Sequence, residues 1–547
     1  MEIGRKIAIS SAVAAGMITL LVYLRALTCG FVNFDDTFYV VHNLDIRHLD
    51  GSLFSQAFTT PFVELWMPLT WISLAVDYHF WGLNPMGYHL TNILLHAVNT
   101  GLVVLIADRF CRERFIGSDD EPASPNYLYP GMLLLAGLLF GIHPLRVESV
   151  AWVAERKDVL NGVFSLGAIL WYLRYAQLRD MAESRGAAVR SYAFSLVFLL
   201  MSLMAKPVSV VIPAMLLVAD WYPLGRFRRE EIGRVLLEKV PYFTLSVASS
   251  VVTIYFAQQI NIMVPQSDLS LVQRFMLSGN AVFEYCRMLL YPVGILPLYL
   301  IPNPIPVEFA VTAALVAIFT CVCLGFGRKY PCLTATWLCF IIPLLPVLAF
   351  FQNGVQAFAA RYTYLPSVAL SVAMAAMIAG AYRSLTNAGR GYVRFVVAGV
   401  MSSILLFYAG MTVHLIGSWK NTETLWTRVI TIRPIGRAFY FRAEYYLETG
   451  KHQAAADDLL TSIRIAESAG NPEAFNLYAL RGDALSRAGR HEESVRDFTA
   501  AIERYPEPNY FYHRGVALKA MGKANEAEAD FRRAGTATGP IQWVNLQ

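Results

Sequence analysis

The sequence predicts an all-α protein in two parts: a membrane domain of about eleven transmembrane helices over residues 1–417, then a soluble helical-repeat solenoid over 418–547. Three observations predict it. Hydrophobic residues make up 56% of the 547 and charged residues only 16%, against about 45–50% and about 25% in ordinary soluble chains. Apolar runs near the length that crosses a bilayer recur through the first three quarters of the chain. Those runs stop near residue 418, and short motifs then recur with a fixed offset. This composition excludes a single water-soluble globule and intrinsic disorder. The net charge of +5 is too small for a nucleic-acid platform. The seven cysteines show neither a CxxC nor a Cys/His metal spacing, which argues against a disulfide framework.

The apolar runs place spans near 7–27, 90–107, 127–143, 159–176, 191–206, 207–222, 239–257, 306–326, 331–351, 365–383 and 395–417. The first follows Arg5 and Lys6 and has the look of a signal peptide, but the spans behind it favour a retained anchor. Basic residues fall in alternate loops, as at Arg109 and Arg112, Arg174 and Arg179, Arg226, Arg228 and Arg229, Arg328 and Lys329, and Arg383 and Arg394. The positive-inside rule puts these loops and the N-terminus in the cytoplasm and the intervening loops outside. Residues 275–296 are apolar enough to cross but hold Glu284 and Arg287 and end in Tyr291-Pro292. A crossing there would put the later basic loops on the wrong side, so the segment reads as re-entrant or interfacial, and the C-terminal part lies outside.

In that part, Arg481-Gly482-Asp483-Ala484-Leu485 recurs 33 positions later as Arg514-Gly515-Val516-Ala517-Leu518. Gly489 and Gly522, and Phe498 and Phe531, keep the same offset. The period matches the tetratricopeptide helix hairpin, whose small residues let two helices approach closely. Two repeats are clear, and a degenerate one lies around Phe439 to Ala466. Such a stack offers a concave surface for a protein or peptide, or serves as an appendage that stabilises the rest.

Four polar clusters stand out. The first outer loop, 28–89, opens with Phe31-Val32-Asn33-Phe34-Asp35-Asp36. Paired carboxylates beside a membrane are costly and tend to mark function, and one of them is suited to act as a general base toward a hydroxyl. A solvated helix cap is the plainer use of Asp. The run from His143 to Ser149 and then Glu155-Arg156-Lys157-Asp158 joins carboxylates to cations able to hold a phosphate, or is a charged loop pairing with itself. Ala360-Arg361-Tyr362-Thr363-Tyr364-Leu365-Pro366 enters a span from outside. Its Arg suits a lipid phosphate or snorkels to the interface. The aromatic stretch from Tyr78 to Leu90, which includes His89, fits an interfacial belt or a site. No Walker loop, GxGxxG, HExxH or GxSxG occurs in a sensible context.

These pieces in this order resemble a known family. The acidic pair after the first span precedes the Leu-Asn-Pro-x-Gly-Tyr-His-Leu stretch at 83–90 and the His-Pro-x-x-x-Glu-Ser-Val-Ala stretch at 143–151. Arg-Tyr-x-Tyr-Leu-Pro at 361–366 and Trp419-Lys420-Asn421 then lead into the repeats. The whole resembles a bacterial relative of the transmembrane and tetratricopeptide repeat-containing (TMTC-type) O-mannosyltransferases. The resemblance implies a GT-C glycosyltransferase fold in the membrane domain and a sugar, mannose, carried by a polyprenyl phosphate. It implies transfer to Ser or Thr hydroxyls of a protein recruited by the repeats, on the periplasmic or lumenal face; the compactness of the chain favours a bacterial inner membrane and its periplasmic face. Asp35 is then the first candidate for the base and Asp36 the second. Arg361, with Arg156 and Lys157, would hold the donor phosphate. His143, Glu148, Glu155, Tyr362 and His89 would position the substrates. No metal or other cofactor is implied. A GT-C reaction with another sugar or a glycan acceptor, a lipid flippase, and a membrane-anchored scaffold are the rival readings.

Overall fold

The computed structural model describes residues 2–60, 66–116, 127–259, 269–350, 356–387, 392–470 and 474–541. The chain is almost wholly helical and divides into two compact units: residues 1–31 with 35–419, and residues 32–34 with 420–547. Residues 61–65 of the long first loop and 542–547 of the tail lie outside the described residues.

Among the described residues of the larger unit seven helices are long and apolar enough to cross a bilayer: Ile3–Thr28, Pro85–Arg112, Arg185–Ala205, Ile232–Gln259, Glu308–Gly325, Pro366–Thr386 and Val393–Trp419. The protein is an integral membrane protein. The count of eleven expected from the apolar runs is not reached, for identifiable reasons. The run at 127–143 is one arm of a pair, Leu128–Gly141 and Pro144–Ala151, bent by 48° at His143. The runs at 207–222 and 331–351 are shorter apolar helices, Pro207–Trp221 and Pro331–Val347, each opened by a proline and tightened in part to 3-10 geometry. The run at 159–176 lies in the helix Arg156–Leu178, long enough to span but headed by three charged residues. The segment 275–296 is helical only to Leu290, in the helix Leu271–Leu290, which is capped at Ser270 by a reciprocal Ser–Gln box.

Small residues bring the first helices together. A Cβ on Gly16 would lie 2.9 Å from the Ala97 carbonyl oxygen, and one on Gly137 2.6 Å from a Val104 methyl. Without a hydrophobic drive between helices in lipid, this close approach is what favours their packing. The long first loop is itself ordered by the helices Gly51–Thr59 and Pro68–Trp81. Asp50 caps the former by accepting from the Ser52 and Leu53 amides. The two short strands, Tyr299–Leu300 and Gln356–Phe358, pair antiparallel, and the Tyr299 and Phe358 rings stack at 4.3 Å. This pairing fixes the approach to residues 360–364.

The smaller unit holds a lead helix, Thr422–Ile432, and three hairpins: Gly436–Glu448 with His452–Ser468, Ala474–Arg487 with His491–Arg504, and Pro508–Ala520 with Ala524–Ala534. One device recurs in each. Arg442, Arg481 and Arg514 each make a bidentate pair with the aspartate 16 residues on, namely Asp458, Asp497 and Asp530, at 2.6–2.8 Å. The degenerate first repeat shares this pair with the other two. Gly482 and Gly515 face the Phe498 and Phe531 rings so closely that a Cβ would lie 3.0 and 2.8 Å away. Gly450, Gly489 and Gly522, at φ of 75–79°, make the turn inside each hairpin. Replacing Arg481 with Leu should leave Asp497 buried without its cation and lower the stability of this unit by about 2–3 kcal/mol. A calorimetric scan should then show only the unfolding transition of the repeat unit moving down.

Glu444 adds a pH dependence. Burial first, and Glu448 next, raise its carboxyl to about 7, against a hydrogen bond from Asn33 that acts the other way. The folded unit therefore holds the proton more tightly than the unfolded chain. The stability so gained is full below the ordinary value of 4.5 and is lost as pH rises through about 7. The melting point of this unit should fall across that window, and Glu444→Gln should flatten the fall.

Candidate active site

The site is built where three segments of the larger unit meet: the turn after Phe34, the bent region 143–158 and the turn 360–364. Asp35 opens the first. Its carbonyl accepts from the amides of Phe38 and Tyr39 and starts the short helix Thr37–Val41. Its side chain keeps 24% exposure. Asp36 points the other way: it is buried, and its Oδ1 accepts from the Ala154 amide at 2.8 Å. One carboxylate of the pair is thus presented and the other is spent on joining two segments.

The second and third segments hold each other. Arg361 Nη1 donates to Glu148 Oε1 at 2.5 Å, and the Arg361 amide donates to Glu148 Oε2 at 3.1 Å. Arg361 Nη2 donates to Gln356 at 3.0 Å. Arg146 Nη2 donates to Thr363 Oγ1 at 2.5 Å. Beneath them His96 Nε2 meets the Gly141 carbonyl at 2.8 Å, so this nitrogen carries the proton. Nδ1 then accepts from the Tyr364 hydroxyl at 2.7 Å, and Asn99 Nδ2 donates to the same hydroxyl. The motif around His143 and the motif around Arg361 are one packed structure, joined by bonds between residues 213 and 217 positions apart.

An alternating chain of charge links Asp35 to Arg361. Lys157 Nζ lies 4.0 Å from Asp35 Oδ2, 3.3 Å from Glu155 Oε1 and 3.1 Å from the Tyr39 hydroxyl. Lys206 Nζ lies 3.5 Å from Glu155 Oε2 and 2.5 Å from Asp158. Arg361 Nε lies 3.3 Å from Glu155 Oε1. Three cations therefore converge on Glu155, which is fully buried. Burial acts to raise the Glu155 pKa, and Lys157, Lys206 and Arg361 outweigh it, holding the carboxyl below the usual carboxylate range. Burial acts likewise against the Arg361 cation, and Tyr362, Glu148 and Glu155 outweigh it. Tyr362 packs under the Arg361 guanidinium at 4.9 Å and the Lys206 ammonium at 5.9 Å.

Of the residues expected from sequence, Asp35, Glu148, Glu155, Lys157, Arg361 and Tyr362 come together in this assembly. Asp36 is spent on the Ala154 amide, and three others stand elsewhere. Arg156 is fully buried and bound to Asp77 at 2.5 Å, Asn92 at 2.5 Å, Ser73 at 2.8 Å and the Tyr88 carbonyl at 2.9 Å. With all its nitrogens engaged it ties the first loop to the helix Pro85–Ile116. His143 caps the turn at the bend, accepting from the Leu145 amide at Nδ1, and its Nε2 meets the Leu289 carbonyl at 3.0 Å. His89 is fully buried near the backbone of Cys29 and Gly30. Lys206 is a member that the sequence reading did not single out, and Asp158 stood in the charged run 155–158 without a role of its own. A lone Lys between an apolar run and Pro207 was the available signal for the first.

Residues 475–508 match the tetratricopeptide repeat family. Comparison with curated proteins finds the Drosophila melanogaster protein O-mannosyl-transferase Tmtc1, 33% identical over 171 residues, which are 30% of this chain and 18% of that one. It also finds the human protein O-mannosyl-transferase TMTC4, 25% identical over 495 residues, 81% of this chain and 64% of that one. The chain is similar to the TMTC proteins. Human TMTC3 matches at 32% identity over 160 residues, 28% of this chain and 16% of its own length. The matched stretches thus cover between about a sixth and two thirds of these TMTC relatives. No solved structure matches.

Proposed function

We propose that this protein is a membrane glycosyltransferase of GT-C type. It would transfer a sugar, mannose, from a polyprenyl phosphate to Ser or Thr hydroxyls of proteins. The observation that carries this reading is the chain of charge running from the half-buried carboxylate of Asp35 through Lys157 and Glu155 to Arg361 and Lys206. It offers a base and a set of cations side by side. The names of the TMTC relatives support the reaction class.

In this mechanism Asp35 takes the hydroxyl proton as the acceptor oxygen attacks C1 of the sugar. The bond from C1 to the phosphate oxygen breaks with its electron pair, and the configuration at C1 inverts. The departing phosphate gains negative charge, which Lys157, Arg361 and Lys206 neutralise without proton transfer. Asp36 holds the turn that presents Asp35, and Glu148 holds Arg361. An apolar cavity of about 180 Å³, lined among others by Ile106, Met215, Cys339, Leu365 and Val372, begins four residues beyond Arg361 and suits an isoprenoid chain. The alternation of basic loops supports a cytoplasmic N-terminus and a site facing the periplasm. The repeats would recruit the acceptor protein.

The test is a panel of radiolabelled donors given to the purified protein with a Ser/Thr-rich acceptor: mannose on polyprenyl monophosphate, on polyprenyl diphosphate and on a nucleotide. Label released from protein by alkaline elimination, with the monophosphate alone, supports the reading. Label only in lipid or free glycan transfers it to a different acceptor class. Since no metal is assigned to the step, 5 mM EDTA should leave the rate within about twofold, and a loss reversed by Mg²⁺ or Mn²⁺ would contradict the metal-free mechanism.

A further inference from the structure

Three residues of the first loop belong structurally to the repeat unit. Val32–Phe34 join the compact unit that otherwise begins at residue 420, while Phe31 on one side and Asp35 on the other belong to the membrane unit. Asn33 is the centre of the attachment. Its Nδ2 donates to the Phe441 carbonyl at 2.7 Å and to Glu444 Oε2 at 2.8 Å. Its Oδ1 accepts from the Trp426 indole at 2.9 Å, and its amide donates to Thr422 Oγ1 at 3.1 Å. Both the amide nitrogen and the carbonyl oxygen of the side chain are engaged, and Asn33 is buried. The Phe34 ring meets Trp426 and Phe441 edge-on at 5.4 and 5.8 Å. Trp426 and Phe441 lie on the lead helix and on the first helix of the first hairpin.

Asp35 is therefore anchored from two sides through its own backbone. Downstream, its carbonyl holds the Phe38 and Tyr39 amides and Asp36 holds Ala154. Upstream, two residues away, the chain is fixed to the repeat unit. We propose that Asn33 is a positioning residue of the transfer reaction: through it the repeat unit sets the geometry of the Asp35 carboxylate, besides any part it plays in recruiting acceptors. This rests on the reading of Asp35 as the base. A general base displaced by about 1 Å can lose on the order of 10²-fold in rate, so loss of the clasp is expected in kcat.

The experiment compares the full-length wild type with Asn33→Ala and Trp426→Phe in lipid nanodiscs, using polyprenyl-phosphate-mannose and a short Ser/Thr peptide. The peptide is kept short so that its binding depends little on the repeats. Both variants should lose at least tenfold in kcat, with KM for donor and peptide within twofold of wild type. Glu444→Gln, whose amide oxygen still accepts from Asn33, should keep kcat within threefold. A raised peptide KM with unchanged kcat would mean that the repeats only recruit, and would overturn the proposal. Amide hydrogen exchange separates this from a failure of the assigned reaction. With or without detectable transfer, Asn33→Ala should speed exchange at Phe38 and Tyr39 at least tenfold while the remaining hairpins keep their protection. Unchanged exchange at those two amides would also overturn it.

Discussion

Replacing Asp35 with Asn should slow sugar transfer by about 10²–10⁴-fold, the usual worth of a general base, with folding and donor affinity unchanged. The side chain keeps 24% exposure, and its ion pair with Lys157 spans 4.0 Å. Loss of that pair costs the fold little, since loose pairs of this kind contribute about 0–1 kcal/mol. Asp36→Asn is expected to behave differently. That carboxylate is buried and accepts from the Ala154 amide, so its loss should lower the melting point, with activity falling in proportion to folded protein. Rates measured at saturating donor, beside thermal unfolding in detergent, separate the two. A fully active Asp35→Asn variant would remove the proposed base.

Arg361→Ala carries the second large effect, and its effect is twofold. The guanidinium is paired to Glu148 at 2.5 Å and stands 3.3 Å from Glu155, and both acids are buried. Deleting one partner of such an assembly leaves uncompensated buried charge, at about 3–5 kcal/mol. The variant should melt well below wild type. In the fraction that folds, KM for polyprenyl-phosphate-mannose should rise more than tenfold and KM for the acceptor less than threefold. Arg361→Lys keeps the charge but has no planar fork to reach Glu148 and Gln356 together, and should fall between. Equal losses for donor and acceptor would speak against a phosphate role and leave Arg361 as a structural tie between two segments.

The parts of this molecule legible in the sequence are those written in local pattern. Seven of the apolar runs are helices long enough to cross a membrane, because hydropathy over some 20 residues measures what the bilayer requires. The same measure is blind to bends, so the break at His143 and the short helices opened by Pro207 and Pro331 lowered the count. The repeats were legible through Arg481 and Arg514, and the Arg442–Asp458 pair explains why the weaker first repeat follows the same plan. Asp35, Lys157 and Arg361 stand out in the sequence because charge at a membrane boundary is rare. What sequence could not convey was the division of labour. Arg156 and Lys157 are neighbours, yet one is bound to Asp77 in the first loop and the other stands near Asp35. The attachment of Asn33 to Trp426 and Phe441 crosses some 400 positions and has no local signature.

The most direct test of this account is transfer of labelled mannose from polyprenyl-phosphate-mannose to a Ser/Thr-rich protein by the reconstituted full-length chain, with Asp35→Asn in parallel. The account predicts label on Ser or Thr with the wild type and at least a hundredfold less with the variant. Equal labelling by both, or none by a folded wild type that binds the donor, would contradict it.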